Sequence, residues 1–141
     1  TPQRYTEQKI FKYRNVVTKI WNPSRFVAME TEGAASKMPE KLDFTEEKFF
    51  QSLEKLEANN KKLLNELKIS SSLDNLYEFF WHDFADQFLE YEKKIIQEAD
   101  DKARVDTAKS ALKTALTRQL TLIEDFAPFV VDKIKTEMLD V

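Results

Sequence analysis

Apolar residues recur every three or four positions along most of the chain, and strict alternation of apolar and polar residues is nowhere sustained. The first spacing is typical of an amphipathic helix, and the second would indicate a half-buried strand. The pattern therefore predicts five helices and no sheet. Their predicted ranges are about 5–30, 45–68, 71–99, 102–125 and 129–139.

Three of the long helices carry a single apolar stripe, whereas the third is apolar on more than one face. The predicted stripes are Ile10, Tyr13, Val17, Ile20, Ser24 and Val27 in the first helix, Phe49, Leu53, Leu56, Asn60, Leu63 and Leu67 in the second, and Val105, Ala108, Leu112, Ala115, Gln119, Leu122 and Phe126 in the fourth. A helix that is apolar on several faces is packed by several neighbours, so the third helix is expected to be central. The predicted fold is an all-α bundle of four long helices plus a short fifth.

Short polar residues and the few helix breakers predict where the helices begin and end. Asp43 or Thr45 can cap the second helix, and one of the serines at 70–72 can cap the third. Gly33 is expected to be the C-cap of the first helix. Pro128 fits the first turn of the last helix, where its missing N–H is not needed.

The composition excludes several classes of function. One glycine in 141 residues leaves no phosphate-binding loop and no dinucleotide fingerprint, which need two or three. The absence of Cys excludes disulfides, thiolate zinc sites and cysteine nucleophiles. No apolar stretch is long enough to cross a membrane, so no membrane partner is expected.

The single histidine does not indicate a catalytic or metal site. His82 lies four residues from both Glu78 and Asp86, so all three share one helix face. A partly buried histidine paired with a carboxylate of its own helix is the ordinary explanation. We therefore expect no catalytic residue and no metal ligand in this chain. Three other carboxylates are expected to be solvated or structural charges: Asp83, Glu90 and Glu92.

Charge is distributed unevenly along the chain. Residues 1–30 hold six basic residues against two acidic ones, a net charge of +4, while the rest carries −7 to give the total of −3. A basic helix on an acidic body can form an anion-binding face. An ordinary solvated helix surface is the simpler explanation when charge alone is considered.

Helical spacing places guanidinium, amide and ammonium groups on the faces that flank the stripe of the first helix. Trp21 and Arg25 are four residues apart and could stack on one another. Donors beside aromatic or guanidinium planes suit unpaired RNA bases, which are recognised by stacking and by hydrogen bonds to their edges. The candidate RNA-binding residues are Arg14, Asn15, Lys19, Trp21, Asn22 and Arg25, and the same residues could equally anchor a core.

Three segments resemble the anticodon-binding domain of class I aminoacyl-tRNA synthetases. Arg14-Asn15 followed by Lys19-Ile20-Trp21-Asn22-x-Ser24-Arg25-Phe26 resembles the helix that opens this domain in the valine, isoleucine and leucine enzymes. The run from Leu76 to Glu90, with Phe79-Phe80-Trp81 and Asp86, is most similar to the valyl branch. Leu120-Thr121-Leu122-Ile123-x-x-Phe126-Ala127-Pro128-Phe129 resembles the turn that closes the bundle.

This resemblance implies a helical bundle that docks the anticodon arm of tRNA. The implied parent is a cytoplasmic, monomeric valine–tRNA ligase that uses ATP and Mg²⁺ on a separate catalytic domain. Neither the His-x-Gly-His nor the Lys-Met-Ser-Lys-Ser signature of that catalytic domain occurs here. Residues 1–141 are thus expected to be one domain of a larger enzyme, with tRNA and the parent's catalytic domain as partners and no cofactor of its own.

One departure from the family pattern is Pro23, where the family usually has Ala. Proline removes a helical N–H and crowds the carbonyl of Lys19, so the first helix is expected to kink. Alternatively, Asn22 caps a fresh segment with Pro23 at its first position.

Two alternatives stay open at this point. The domain could belong to an isoleucyl or leucyl enzyme. It could also be a protein-interaction bundle without an RNA role, as the pI of 5.3 and the heptad-like stripe of the second helix suggest. In that case Asn60 could set the register of a helix pair.

Overall fold

Helices make up most of the backbone that the structure describes. The structure is a computed structural model that describes the backbone of residues 2–139 and the side chains of residues 14–139. The elements are α1 (Pro2–Glu30), α2 (Phe44–Asn65), α3 (Ile69–Glu78), the π-helical segment π1 (Phe79–Phe88), α4 (Leu89–Glu98), α5 (Lys102–Ile123), α6 (Pro128–Lys133) and the π-helical segment π2 (Ile134–Leu139). Because α3, π1 and α4 are continuous, as are α6 and π2, the chain forms four long helices and a short fifth. Residues 2–139 contain no strand, and the predicted all-α fold is confirmed.

The start of α2 follows the predicted capping chemistry. The Asp43 carboxylate accepts a hydrogen bond from the backbone N–H of Glu46 at 2.8 Å, and the Glu46 carboxylate accepts one from the N–H of Asp43 at 3.0 Å. This reciprocal pair satisfies two backbone donors that the first turn would otherwise leave unpaired. Asp101 caps α5 in a similar way by accepting from the N–H of Ala103 at 3.0 Å. Pro128 begins α6, as predicted.

The predicted serine cap of the third helix is wrong. α3 begins at Ile69 after Lys68, and no side chain caps it. Ser72 is instead buried, and its hydroxyl donates to the amide oxygen of Asn60 in α2. The serine is therefore used to join two helices. Because Asn60 is satisfied inside the chain and only 5% exposed, it does not lie on a surface that could set the register of a second copy.

α2 is shorter than its apolar stripe indicated. It ends at Asn65, whereas the expected stripe continued through Leu67. Leu67 is 81% exposed and has a backbone φ of +60°, outside the helical region. It belongs to the turn between α2 and α3.

α1 runs through Pro23 without interruption, so the interpretation of Asn22 as the cap of a fresh segment is wrong. Its buried positions include Val16 and not Val17, which is half-buried. Val16, Ile20 and Ser24 are each four residues apart and all buried, so the buried stripe contains Val16 in place of Val17. The side chains of Ile10 and Tyr13 lie outside the described residues.

Gly33 lies in the turn that follows α1. Its φ of +82° is in the left-handed region, and the N–H of Ala34 donates to the carbonyl of Thr31 at 3.0 Å across it. Glycine is preferred at the third position of such a turn because a side chain would be strained there. Gly33 thus shapes the turn beyond the helix and is not its C-cap.

The core lies where α5 meets the other helices. α5 contacts α1, α2, α3, π1, α4 and α6. Its buried residues include members of the predicted stripe and others on neighbouring faces: Ala108, Ala111, Leu112, Thr114, Ala115, Leu116, Gln119, Leu120 and Ile123. The third helix also contacts the other three long helices, as predicted. It joins α2 through an aromatic cluster in which the rings of Phe49 and Phe88 stack at 3.9 Å.

Candidate nucleic-acid interface

The outer face of α1 presents the predicted donors to solvent. Five of the six candidates are exposed: Arg14, Asn15, Lys19, Asn22 and Arg25. The sixth, Trp21, is half-buried and packs against the core. The opposite side of the helix is anchored by buried Val16, Ile20 and Val27. The amphipathic spacing of α1 therefore holds a row of polar side chains away from the bundle.

Within residues 14–139, the cations on this face have no carboxylate partner. Among the described side chains, Arg14, Lys19 and Arg25 form no ion pair. The arginines of α5 differ, because Arg104 lies 2.6 Å from Asp43 and Arg118 pairs with Glu57. Unpaired cations keep their attraction for an external anion. Among the described side chains, the arginines of α1 are therefore available to an external anion, whereas those of α5 are held by carboxylates.

An open groove of about 450 Å³ separates α1 from π1. Two of the predicted residues, Lys19 and Asn22, line it. Pro23 completes the α1 wall, and the π1 wall consists of Trp81, His82, Ala85 and Asp86. The structure therefore brings Lys19 and Asn22 together in one concave site, while Arg14, Asn15 and Arg25 lie outside its lining.

A cation lies over an aromatic ring inside this groove, but the two residues are not the predicted pair of Arg25 and Trp21. The ammonium of Lys19 is 4.4 Å from the centroid of the Trp81 ring. Within the described residues, no cation lies over Trp21, so the expected stacking of Arg25 on Trp21 is wrong. Sequence analysis missed Trp81 as a site residue because its apolar surroundings matched a core position. Only the packing of α1 on π1 reveals the contact.

The far wall of the groove is polar and partly acidic. His82 lies 3.5 Å from Asp86, and their side chains are 61% and 69% exposed, so His82 is paired as predicted but is not partly buried. Burial raises the pKa of the neighbouring Asp83, and Glu78 raises it further, while the charge on His82 opposes the shift. No group of three or more His, Asp or Glu side chains in the described part of the chain is arranged to hold a metal ion.

A second polar cluster lies at the start of α2, is partly buried and is structural. Arg104 lies 3.0 Å from the fully buried Glu46, and the Tyr91 hydroxyl donates to Asp43 at 2.5 Å. Burial alone would raise the pKa of Asp43, but hydrogen bonds from Tyr91, from the backbone of Glu46 and from Arg104 lower it.

Glu92 lies within the same cluster. Burial, together with the adjacent Glu46 carboxylate, raises the pKa of Glu92 to about 10. Glu92 is therefore a neutral carboxylic acid, and the expectation of a solvated or structural charge is wrong for this residue. No donor faces either of its oxygens among the described residues, so its own proton must supply the hydrogen bond to Glu46.

Comparison with known proteins identifies the family. Residues 46–140 match the model of the anticodon-binding domain of tRNA ligase. The chain belongs to the family of anticodon-binding domains of tRNA ligases. The matched region begins in the first turn of α2, so it contains π1 and its groove wall, and α1 precedes it.

Similar proteins extend the match into α1. The valine–tRNA ligase of Geobacter sulfurreducens is 33% identical in an alignment of 135 residues that covers 93% of this chain and 15% of that protein. The enzymes of Latilactobacillus sakei and Enterococcus faecalis are each 31% identical, over 96% and 93% of this chain. The chain thus spans about 15% of the length of these relatives. No solved structure matches the chain significantly. Within the described residues, no helix is both long and apolar enough to span a membrane.

Proposed function

We propose that this anticodon-binding domain is part of a valine–tRNA ligase and docks the anticodon arm of tRNA on the outer face of α1. The observation that carries the proposal is that Arg14, Lys19 and Arg25 form no ion pair with any described side chain, beside a groove that contains an aromatic ring. The names of the similar proteins favour valine over isoleucine or leucine. Because Asn60 is buried and accepts from Ser72, it does not offer the register-setting contact expected of an interaction bundle without an RNA role.

The exposed candidate residues of α1 fall into two chemical classes, cations and amides. Arg14, Lys19 and Arg25 would bind phosphate oxygens. Such contacts set the position of the RNA and carry little sequence information. Asn15 and Asn22 present amide groups that both donate and accept, and they suit the edges of unpaired bases. Trp21 is half-buried against the core, so in this proposal it supports α1 and does not stack on a base.

The whole enzyme would join valine to its tRNA with ATP and Mg²⁺ on another domain. In this proposal residues 1–141 form one domain that contributes no catalytic residue, holds no cofactor and works beside the parent's catalytic domain. We place the parent in the cytoplasm as a monomer, in keeping with a role in protein synthesis.

The proposal is tested by titrating the chain with an RNA hairpin that carries a valine anticodon loop, at two salt concentrations. The double variant Arg14→Gln with Arg25→Gln should weaken binding and reduce the slope of log K against log salt by about 0.7–0.9 for each phosphate that is no longer neutralised. The control Lys61→Gln removes an exposed charge from α2 and should change neither the affinity nor the salt slope. Binding that is independent of salt, or equal in the double variant and the control, would contradict the proposal.

A further inference from the structure

Trp81 is fixed in place from more than one side. Its ring stacks on Tyr77 at 5.4 Å with an interplanar angle of 11°, and its remaining apolar surface packs against the core. The Lys19 ammonium lies 4.4 Å from the ring centroid. The flexible lysine therefore rests on a rigid aromatic surface and is held in the groove between α1 and π1.

The indole is an unfavourable choice for packing alone. Its Nε1–H is buried and has no hydrogen-bond acceptor among the described residues. A buried donor without a partner destabilises a fold, and phenylalanine at position 81 would fill apolar space without one. Tryptophan has the strongest attraction for a cation of the three aromatic side chains. Compared with phenylalanine, Trp81 thus gains a stronger contact with Lys19 and a larger ring surface on Tyr77 and the core.

The groove also offers Lys19 a competing partner. The carboxylate of Asp86 lines the opposite wall, where it is paired with His82. A lysine that is not held by the ring has a long stem with four rotatable bonds and could turn toward this carboxylate. An ion pair there would neutralise the cation before an anionic ligand reached it.

We infer that Trp81 is a positioning residue for RNA binding: its ring holds the Lys19 ammonium in the groove, available to a phosphate of the docked RNA. The inference rests on the proposed function. It predicts that changing Trp81 affects affinity through Lys19 alone. A residue that only stabilised the fold would not show this dependence.

The test is a double-mutant cycle in this chain, with the affinity for the anticodon hairpin as its readout. Trp81→Leu should weaken binding about two- to five-fold, the range of a partly exposed cation–ring contact. Trp81→Phe, which keeps most of the packing, should weaken it about two-fold. Neither change should weaken binding further in a Lys19→Met background. Phe44→Leu is the matched control, because it removes an exposed ring 5.9 Å from another lysine, Lys48, and should leave affinity unchanged.

A second readout reports the position of Lys19 directly. In the wild-type chain the ε-methylene protons of Lys19 should resonate upfield of those of Lys61, because the ammonium attached to that methylene lies over the indole, and Trp81→Leu should remove the difference. The inference is overturned if Trp81→Phe weakens binding equally with and without Lys19, or if Lys19→Met leaves affinity unchanged while the double variant of Arg14 and Arg25 reduces it. If the chain does not bind the hairpin at all, the proposed function itself fails.

Discussion

Leu67 occupies a backbone position that usually belongs to glycine. Its N–H donates to the carbonyl of Leu64 at 3.0 Å, and the N–H of Lys68 donates to the carbonyl of Leu63 at 2.8 Å. These are the two hydrogen bonds of a Schellman motif, in which the residue after the C-cap adopts the left-handed conformation. The φ of +60° at Leu67 is therefore imposed by the helix end. Side chains raise the energy of this conformation, and Gly33, the only glycine, is used elsewhere.

Leu67→Gly is predicted to stabilise the protein. The change removes a left-handed leucine that is 81% exposed, so the gain of about 1 kcal/mol is opposed by little lost burial. Urea denaturation measures the free energy of unfolding. Glu66→Gly is the control in the same turn, because Glu66 has an ordinary φ of −88° and glycine there should destabilise the chain. Equal effects of the two substitutions would show that Leu67 is not strained.

At the scale of elements, α5 is attached to the start of α2 by one arginine. Arg104 lies 2.6 Å from Asp43 and 3.0 Å from Glu46, which are the two residues of the capping box. The Glu46 side chain is fully buried, whereas Arg104 is 27% exposed. The guanidinium is therefore needed to neutralise a carboxylate that water does not reach.

Arg104→Met is predicted to lower the free energy of unfolding by about 3–5 kcal/mol, because it leaves Glu46 buried and unpaired. Arg118→Met is a close control on the same helix, since Arg118 is also 27% exposed but pairs with Glu57, which is 30% exposed. Solvent can hydrate that partner, so the loss there should be near 1 kcal/mol. Thermal or urea unfolding of both variants distinguishes them. Similar losses would mean that burial of the carboxylate is not the cause.

Pro23 weakens α1 from within. Proline has no N–H to donate to the carbonyl of Lys19, yet α1 continues through this position. Pro23→Ala should raise the free energy of unfolding by about 1–2 kcal/mol, after allowing for the greater freedom of the unfolded chain. Pro39→Ala, in the loop before α2, should slightly lower the free energy of unfolding, because there the only effect is the greater freedom of the unfolded chain. Urea unfolding compares the two, and a loss of stability in both would contradict the assigned effect of Pro23.

For the whole molecule, the spacing of apolar residues was sufficient to predict the five helices, because periodicity records which side of a helix is buried. The same argument placed the donors of α1 on its outer face. It could not predict the end of α2, since a leucine at 67 gives no sign of the left-handed turn. Nor could it predict that Lys19 meets Trp81, because the two are distant in sequence and only the packing of α1 on π1 brings them together.

The buried acid Glu92 is a second feature that depends on tertiary neighbours, and it makes the stability of the whole molecule depend on pH. Its pKa rises from 4.5 to about 10 on folding, because the fold buries it beside Glu46. Between these values the folded chain holds a proton that the unfolded chain has released. The contribution of Glu92 to stability should therefore be greatest below pH 4.5 and fall as pH rises, by up to about 1.4 kcal/mol per pH unit. The lowered pKa of Asp43 changes stability only below pH 3.8, and the raised pKa of Tyr91 only above pH 10.0, both outside this window. The raised pKa of Asp83 changes stability above pH 3.8 in the same direction as that of Glu92, and it is present in the wild type and in a Glu92 variant alike.

Glu92→Gln should remove this dependence, because the neutral amide keeps a donor for Glu46 and cannot lose a proton. The measurement is the free energy of unfolding in urea at several pH values from 5 to 9. The wild-type curve should fall relative to that of the variant, so that the variant becomes the more stable protein toward pH 9. Glu90→Gln alters an exposed carboxylate in the same turn of α4, and its curve should stay parallel to the wild type. If the Glu92→Gln curve is also parallel, Glu92 is ionised in the folded protein, and the hydrogen bond assigned to its proton does not exist.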